Sequence, residues 1–296
     1  MATTTRPRFS IVIPAYNEAL YIADTLESLR QQSFAGPVEV IVVDNNCTDG
    51  TVGIAERFGA RVVPEPHMGV CWARQRGTEA ARGEIVVSTD ADTTVHADWL
   101  ERIDQTFRRD PTIVAVGGPC RYSDGPWWGR AYPYMLFGLI AWLYGVSHQT
   151  YYVTATNLAF RKSAWPGYNT HLTQGGDELD LLRRLRQQGR VVFDTTTISY
   201  TSARRLERGL VYNLVVTFLL YYVLEYNLSR LANRPVFGSA PAIRSRMSQM
   251  RPSSLRTAQV VVVAVVLGMF SLFTPLGHVL WHHRHFGFPG LRPRSL

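Results

Sequence analysis

Glu84-Ile85-Val86-Val87-Ser88-Thr89-Asp90-Ala91-Asp92 is the stretch on which the fold turns. A short apolar run of this kind reads as a buried strand. It ends in two aspartates one residue apart, at the carboxyl end of a strand, where open α/β sheets bind their ligands. Hard carboxylate oxygens at that spacing can reach one divalent cation, which then takes the phosphate oxygens of a nucleotide. The plainer alternative is a turn in which Asp serves local hydrogen bonding.

The flanking sequence repeats the strand-then-helix pattern. An apolar run at 9–13 leads into Pro14-Ala15-Tyr16-Asn17-Glu18, and a helix follows with Ile22, Leu26 and Leu29 on one face. A second strand is expected at 38–43 and a second helix at 48–58, with Thr or Asp available to cap it. Then come a short strand at 61–63, a helix over 70–81, the strand into Asp90, a helix bearing Trp99, Leu100, Ile103 and Phe107, and a strand at 113–117. This alternation gives an α/β architecture, a mostly parallel sheet with helices on its faces. The strand at 38–43 also ends in a carboxylate, Asp44, and both strand ends should face one crevice. A carboxylate there can accept a hydrogen bond from a nucleobase or ribose, whereas Asn46, Thr48 and Asp49 fit a turn and helix cap.

The 296 residues suffice for one large domain with an appendage. A charged fraction of 18% is low for a wholly soluble protein. The net charge of +8 is carried almost entirely by arginine, Lys162 being the single lysine. Such a balance points to an anionic membrane surface or a phosphorylated substrate. No zinc-finger, helix-turn-helix or RNA-binding signature is present, so nucleic acid is not an expected partner. Cys47, Cys71 and Cys120 are dispersed without a C-x-x-C pair, which argues against a disulfide framework and structural zinc and fits a reducing compartment. The polar opening residues do not read as a signal peptide.

Beyond Tyr132 the composition changes. Residues 132–146 and 210–224 are dense in aromatic and aliphatic side chains, and 260–273 is free of charge. Counted over 258–281, the last stretch reaches the ~20 residues of a membrane span, though Pro275 and Gly277 also permit a bent or re-entrant segment. Arg230, Arg234, Arg244, Arg246, Arg251 and Arg256 precede it, as at a cytoplasmic juxtamembrane segment. The stretch at 210–224, broken by Asn213, is expected to lie in the membrane interface or beneath the catalytic domain. The stretch at 132–146 reads the same way, with a hydrophobic acceptor groove as its functional version. Three parts are therefore expected: a catalytic domain over 1–208, an interface helix and basic segment over 209–256, and a membrane helix with a short basic tail over 257–296.

Two further groups carry chemistry. Asp177-Glu178 follows Gly175-Gly176 and opens a helix bearing Leu181, Leu182 and Leu185. Acidic residues suit a helix N-terminus, but such a pair also suits a general base that removes an acceptor hydroxyl proton. Ser202-Ala203-Arg204-Arg205 offers paired guanidinium forks for phosphate oxygens, or a basic membrane-facing surface. His148 and His171 read as loop residues, and Trp127-Trp128 as packing or acceptor lining.

The chain resembles the family 2 inverting glycosyltransferases of the GT-A fold, bacterial membrane-associated type. The stretches that carry the resemblance are Ile13-Pro14-Ala15-Tyr16-Asn17-Glu18, Val43-Asp44-Asn45-Asn46-Cys47-Thr48-Asp49-Gly50-Thr51, Ala73-Arg74-Gln75-Arg76-Gly77 with Ala81-Arg82-Gly83, and Asp90-Ala91-Asp92. Ala155-Thr156-Asn157-Leu158-Ala159-Phe160-Arg161 and Gly175-Gly176-Asp177-Glu178-Leu179-Asp180-Leu181 complete the series, in family order, over about 9–208. The resemblance implies that Pro14, Tyr16 and Glu18 lie at the nucleotide, with Tyr16 against the base and Asp44 recognising it. It implies that Asp90 contacts ribose or metal, that Asp92 binds a divalent cation (Mg²⁺ or Mn²⁺) on the diphosphate, and that Arg74 lies near the phosphates. The family shows Glu-Asp where this chain has Asp177-Glu178. Register favours Glu178 as base, with Asp177 next and Asp180 in support. The implied reaction moves a sugar from a nucleotide-diphosphate donor to a lipid-linked or cell-envelope glycan acceptor, at the cytoplasmic face of the cell membrane. A nucleotidyltransferase on a related sheet is the rival enzyme, disfavoured because no Gly-rich phosphate loop opens the chain. A catalytically inactive, membrane-tethered nucleotide-sugar binding protein is the other rival, supported by the Asp-Glu exchange.

Overall fold

The computed structural model describes residues 6–172 and 177–213, with a few positions between 215 and 236. In chain order the elements are β1 (Phe9–Ala15), α1 (Ile22–Arg30), β2 (Val38–Asp44), α2 (Thr51–Arg57), β3 (Arg61–Pro64), α3 (Val70–Ala80), β4 (Ile85–Ser88) and β5 (Thr93–Val95). They continue with α4 (Trp99–Arg109), β6 (Ile113–Gly117), β7 (Cys120–Tyr122), α5 (Trp127–Ser147), β8 (Leu158–Arg161), α6 (Asp177–Gln188), β9 (Arg190–Phe193) and β10 (Ser199–Thr201). The second helix starts at Thr51 rather than at 48. Asp49 accepts the Thr51 N–H at 3.0 Å and the Ala19 N–H at 3.1 Å, so the residues before Thr51 tie two loops together.

Seven strands form one sheet in the order β3-β2-β1-β4-β8-β6-β9. Pairing is parallel from β3 to β4 and between β6 and β9, while β8 is antiparallel to both of its neighbours. The chain enters β8 from a 3-10 turn, Ala155–Asn157, at the edge where β4 ends, so β8 can only run back down the sheet. A second sheet, in the order β5-β10-β7, is made of strands of three residues each, too short to show a period in the sequence.

Side-chain alternation sets the layers. Phe9, Ile11 and Ile13 of β1 pack with Ile22, Leu26 and Leu29 of α1 and with Trp99, Leu100, Ile103 and Phe107 of α4. Val12 points the other way, to Val43, Val86, Ala73 of α3, and Leu181, Leu182 and Leu185 of α6. Helices thus cover both faces, which is why the central strands β1 and β4 are apolar on both sides but for Ser10 and Ser88. Gly77 lets α3 lie close on the sheet, since a Cβ there would come within 2.4 Å of Val12 and 2.7 Å of Val43. That seat fixes Arg74, one turn earlier.

The apolar stretch at 132–146 belongs to α5, a helix of 21 residues that buries Phe137 and Ile140 against Cys120 and Phe193. Among the described residues no helix is long and apolar enough to cross a membrane. The expected span over 258–281 and the arginines from 230 to 256 lie outside the described residues, as does much of 210–224.

Asn157 joins these parts. It is buried, accepts the Trp99 Nε1–H at 3.0 Å, and donates to the carbonyls of Pro119 at 2.9 Å and Thr197 at 2.6 Å. Asn157→Ala would strand a buried indole N–H and two carbonyls. A loss of about 3 kcal/mol is expected, the scale of several unmade buried hydrogen bonds. Thermal denaturation should show it as a Tm drop of roughly 5–10 °C.

Candidate active site

Three strand ends meet at one edge of the large sheet. Ala15 pairs with Asp44 across β1 and β2, and Val12 with Ser88 across β1 and β4. The chain leaves β1 toward β2 on one side and returns to β4 on the other, the switch point at which such sheets bind ligands. Asp44 and Asp90 therefore flank the end of β1, as expected from the sequence, with Pro14 inside the strand and Tyr16 just after it.

Asp90 is held on both oxygens. Oδ1 accepts from Arg74 at 2.9 Å, and Oδ2 accepts the Thr156 hydroxyl at 2.9 Å. Arg74 is only 3% exposed, so it is not a surface arginine. Asp92 has a different environment. Its Oδ1 accepts the Thr201 hydroxyl at 3.1 Å, and its Oδ2 lies 2.9 Å from Arg204 Nη2. The same guanidinium forks onto both Glu18 oxygens, at 2.7 and 2.8 Å, and lies over the Tyr21 ring at 4.7 Å. Arg204 thus bridges Glu18 and Asp92 within the site, and Glu18 meets it there rather than standing alone as a donor ligand.

Burial pushes the Asp92 carboxyl above the ordinary Asp range. Arg204 opposes that shift, while the charge on Asp90 adds to it. Burial would likewise lower the Arg204 pKa, but the Glu18 and Asp92 carboxylates override it and raise the value, so the guanidinium stays charged. A desolvated carboxylate beside a second carboxylate is a place where a cation is favoured. Among the described residues no group of three or more His, Cys, Asp or Glu converges to form a protein-only cage. The donor set still fits Mg²⁺ or Mn²⁺ of the kind bound by one or two carboxylates plus substrate phosphates and water. The pocket behind Asp92, lined in part by Tyr21, Asp24 and Asp124, has a volume of about 140 Å³.

Near Asp44 the turn reading holds for several residues. Asp44 Oδ1 accepts the Cys47 N–H at 2.8 Å. The buried Asn45 amide donates to the carbonyls of Glu65 at 3.0 Å and His67 at 2.7 Å, and accepts the Gly69 N–H at 2.8 Å. It thereby pins the loop after β3 next to Asp44.

Glu178, the second residue of α6, accepts the Ala155 N–H on Oε1 at 3.3 Å. Its neighbour in the turn, Thr156, holds Asp90, so one 3-10 turn touches both carboxylate groups. Asp177 opens α6. Asp180 instead turns to Arg183 and Arg184 of its own helix, at 3.3 and 2.6 Å, and supports the helix rather than the Asp177-Glu178 pair. His148 ends α5 in a left-handed conformation, and His171 lies in a loop. Thr156, Thr201, Tyr21 and Asn45 were not singled out from the sequence. Thr156 and Asn45 stand inside the stretches that carry the resemblance, whereas Thr201 and Tyr21 have no sequence signal of their own.

The sequence model described as Glycosyl transferase family 2 matches residues 10–166, more than half of the chain. Glycosyltransferase AglE of Haloferax volcanii is 36% identical over 128 residues, 41% of this chain and 42% of that protein. The glucosyl-dolichyl phosphate glucuronosyltransferase of the same organism is 24% identical over 58% of this chain and 59% of its own length. Those curated relatives are therefore matched over about half their length. Among solved structures, the mannosyltransferase PcManGT from Pyrobaculum calidifontis, in complex with GDP-Man and Mn²⁺, superposes with a TM-score of 0.57 at 19% identity. The alignment covers 95% of this chain and 80% of that one. Glucosyl-3-phosphoglycerate synthase from Mycobacterium tuberculosis, with Mn²⁺ and UDP-glucose, gives 0.52 at 23% identity, covering 83% and 84%. At these identities the structural likeness establishes the GT-A fold.

Removing the guanidinium from the Glu18–Arg204–Asp92 bridge leaves two nearly buried carboxylates without their cation. Arg204→Ala should cost roughly 3 kcal/mol, the lower end for breaking a buried pair on one side. Millimolar Mn²⁺ should raise the Tm of Arg204→Ala more than that of the unsubstituted protein, since the ion can neutralise Asp92 in the arginine's place. Scanning calorimetry with and without Mn²⁺ checks both.

Proposed function

The chain belongs to glycosyl transferase family 2, and we propose that it moves a sugar from a nucleotide-diphosphate donor to a lipid-linked or cell-envelope glycan acceptor, with inversion at the anomeric carbon. The observation that carries this reading is the shared turn at Ala155–Asn157, whose Thr156 hydroxyl holds Asp90 and whose Ala155 N–H meets Glu178. A donor-side carboxylate and a candidate base are thereby hydrogen-bonded to one short segment.

In this reading Pro14, Tyr16 and Asp44 receive the nucleoside at the end of β1 and β2. Arg74 fixes Asp90, and Arg204 with Arg205 supplies guanidinium donors for the diphosphate, with Glu18 orienting Arg204. Asp92, with Asp90, holds the divalent cation. When bound, that cation supplies Lewis-acid stabilisation to the departing diphosphate. Glu178 removes the acceptor hydroxyl proton as that oxygen attacks the anomeric carbon, on the face opposite the breaking bond to the diphosphate. Support for a nucleotide-sugar donor and a cation comes from the GDP-Man and Mn²⁺ in the mannosyltransferase and the UDP-glucose and Mn²⁺ in the synthase. The relative named for a glucosyl-dolichyl phosphate supports a lipid-linked acceptor. The charge-free run at 260–273 behind six arginines supports a catalytic domain at the cytoplasmic face of the cell membrane.

Hydrolysis of a panel of UDP- and GDP-sugars, with and without Mn²⁺, tests this reading against its rivals. Mn²⁺-dependent release of nucleoside diphosphate is expected. Binding without release is the outcome for an inactive binding protein, and release of pyrophosphate with a nucleotide product is the outcome for a nucleotidyltransferase. Glu178→Gln should bind donor normally yet lose kcat by about 10²-fold or more, the scale of general-base catalysis. Asp177→Asn should lose less. A larger loss in Asp177→Asn would move the base to that residue.

A further inference from the structure

Helix α5 presents one apolar face to the core and a second one outward. Tyr132, Met135, Leu139, Trp142 and Val146 recur at alternating spacings of three and four, so they form one stripe along the helix. They are 47%, 68%, 55%, 63% and 68% exposed. The stripe runs for much of a helix about 30 Å long, and no charged residue lies between Arg130 and the end of α5. Gly138 and Gly145 beside it have no atom within 4 Å of where a Cβ would stand. A contiguous apolar surface of this kind on a described face marks a contact with something apolar.

We propose that this face of α5 lies in the interfacial layer of an anionic bilayer. The proposal rests on the membrane-associated reading given above and adds to it the surface that touches lipid. Two observations select a bilayer over a protein partner. Its aromatic members, Tyr132 and Trp142, have the mixed apolar and polar character that suits the headgroup level. Arginines stand beside the helix: Arg121 stacks over Tyr134 at 4.5 Å, and Arg186 lies 5.9 Å over Tyr151 just past the helix end. Each such residue near an anionic surface is drawn toward it. The consequence for the reaction is positional. β7 leads directly into α5, and its neighbour β10 carries Thr201, which holds Asp92. Docking α5 on lipid brings this side of the site toward the membrane, where a lipid-linked acceptor resides.

The test uses the full-length chain with Cys47→Ser, because Cys71 and Cys120 are buried. An environment-sensitive fluorophore is placed on Met135→Cys or Leu139→Cys, and for comparison on Arg57→Cys, at the far end of α2. The protein is mixed with phosphatidylcholine vesicles containing phosphatidylglycerol, with and without spin-labelled lipid. Flotation with the vesicles reports the membrane association itself. With flotation observed, the α5 labels should shift to the blue and be quenched by spin-labelled lipid at least about twofold more than the Arg57 label. Flotation with α5 labels that stay water-exposed would overturn the α5 assignment and leave the membrane reading standing. Labels shielded from water yet not quenched by lipid would also overturn it, in favour of a protein surface. Absence of flotation would remove the membrane reading and the α5 assignment together.

Discussion

Arg204 draws together segments that are far apart in the chain, because a nearly buried guanidinium and nearly buried carboxylates must find one another. Its fork takes both Glu18 oxygens, from a residue 186 positions away, and its remaining reach takes Asp92. Leaving any of the three without partners at that depth would cost several kcal/mol. The loop after β1, the turn after β4 and the segment after β10 are therefore held in register by charge. Those three segments come from two different sheets, so the bridge also ties the small sheet to the large one.

The arrangement separates two aspartates that the sequence presents as equals. Asp90 is satisfied on both oxygens by Arg74 and Thr156, which makes it a fixed wall of the site. Asp92 shares one oxygen with a cation and sits where burial disfavours its charge. Such a carboxylate gains most from a second cation, above all where phosphates draw Arg204 away from it. The geometry thus suits a site in which positive charge is redistributed between the protein and a bound diphosphate. The 3-10 turn at Ala155–Asn157 extends this order to Glu178, while Asn157 anchors the same turn to Trp99 and to the carbonyls of Pro119 and Thr197.

Much of this was legible in the sequence, for identifiable reasons. β1, β2 and β4 are covered on both faces, so they are mostly apolar, and α4 has a sharp apolar side carrying Trp99, Leu100, Ile103 and Phe107. The carboxylates at the ends of β2 and β4 follow from strand position alone. Strands of three residues carry no period, which hid β5, β7 and β10. Helix α5 is apolar on nearly every side, so the sequence could not say which face meets the core. Pairings across long separations, such as Glu18 with Arg204 or Asp90 with Thr156, leave no local signal. Asp180 misled for the opposite reason: it stands beside the candidate base in sequence but answers to Arg183 and Arg184 one helical turn on.

The central claim is that the edge formed by Asp44, Asp90 and Asp92 receives a nucleoside diphosphate with a divalent cation. A crystal structure of the full-length protein with Mn²⁺ and UDP or GDP tests this most directly. The account predicts the base beside Asp44 and Tyr16, the diphosphate over the end of β4, and the ion on Asp92 with Arg204 turned toward phosphate. A nucleotide bound away from these strand ends, or Arg204 and Glu18 left as they are with no ion at Asp92, would contradict it.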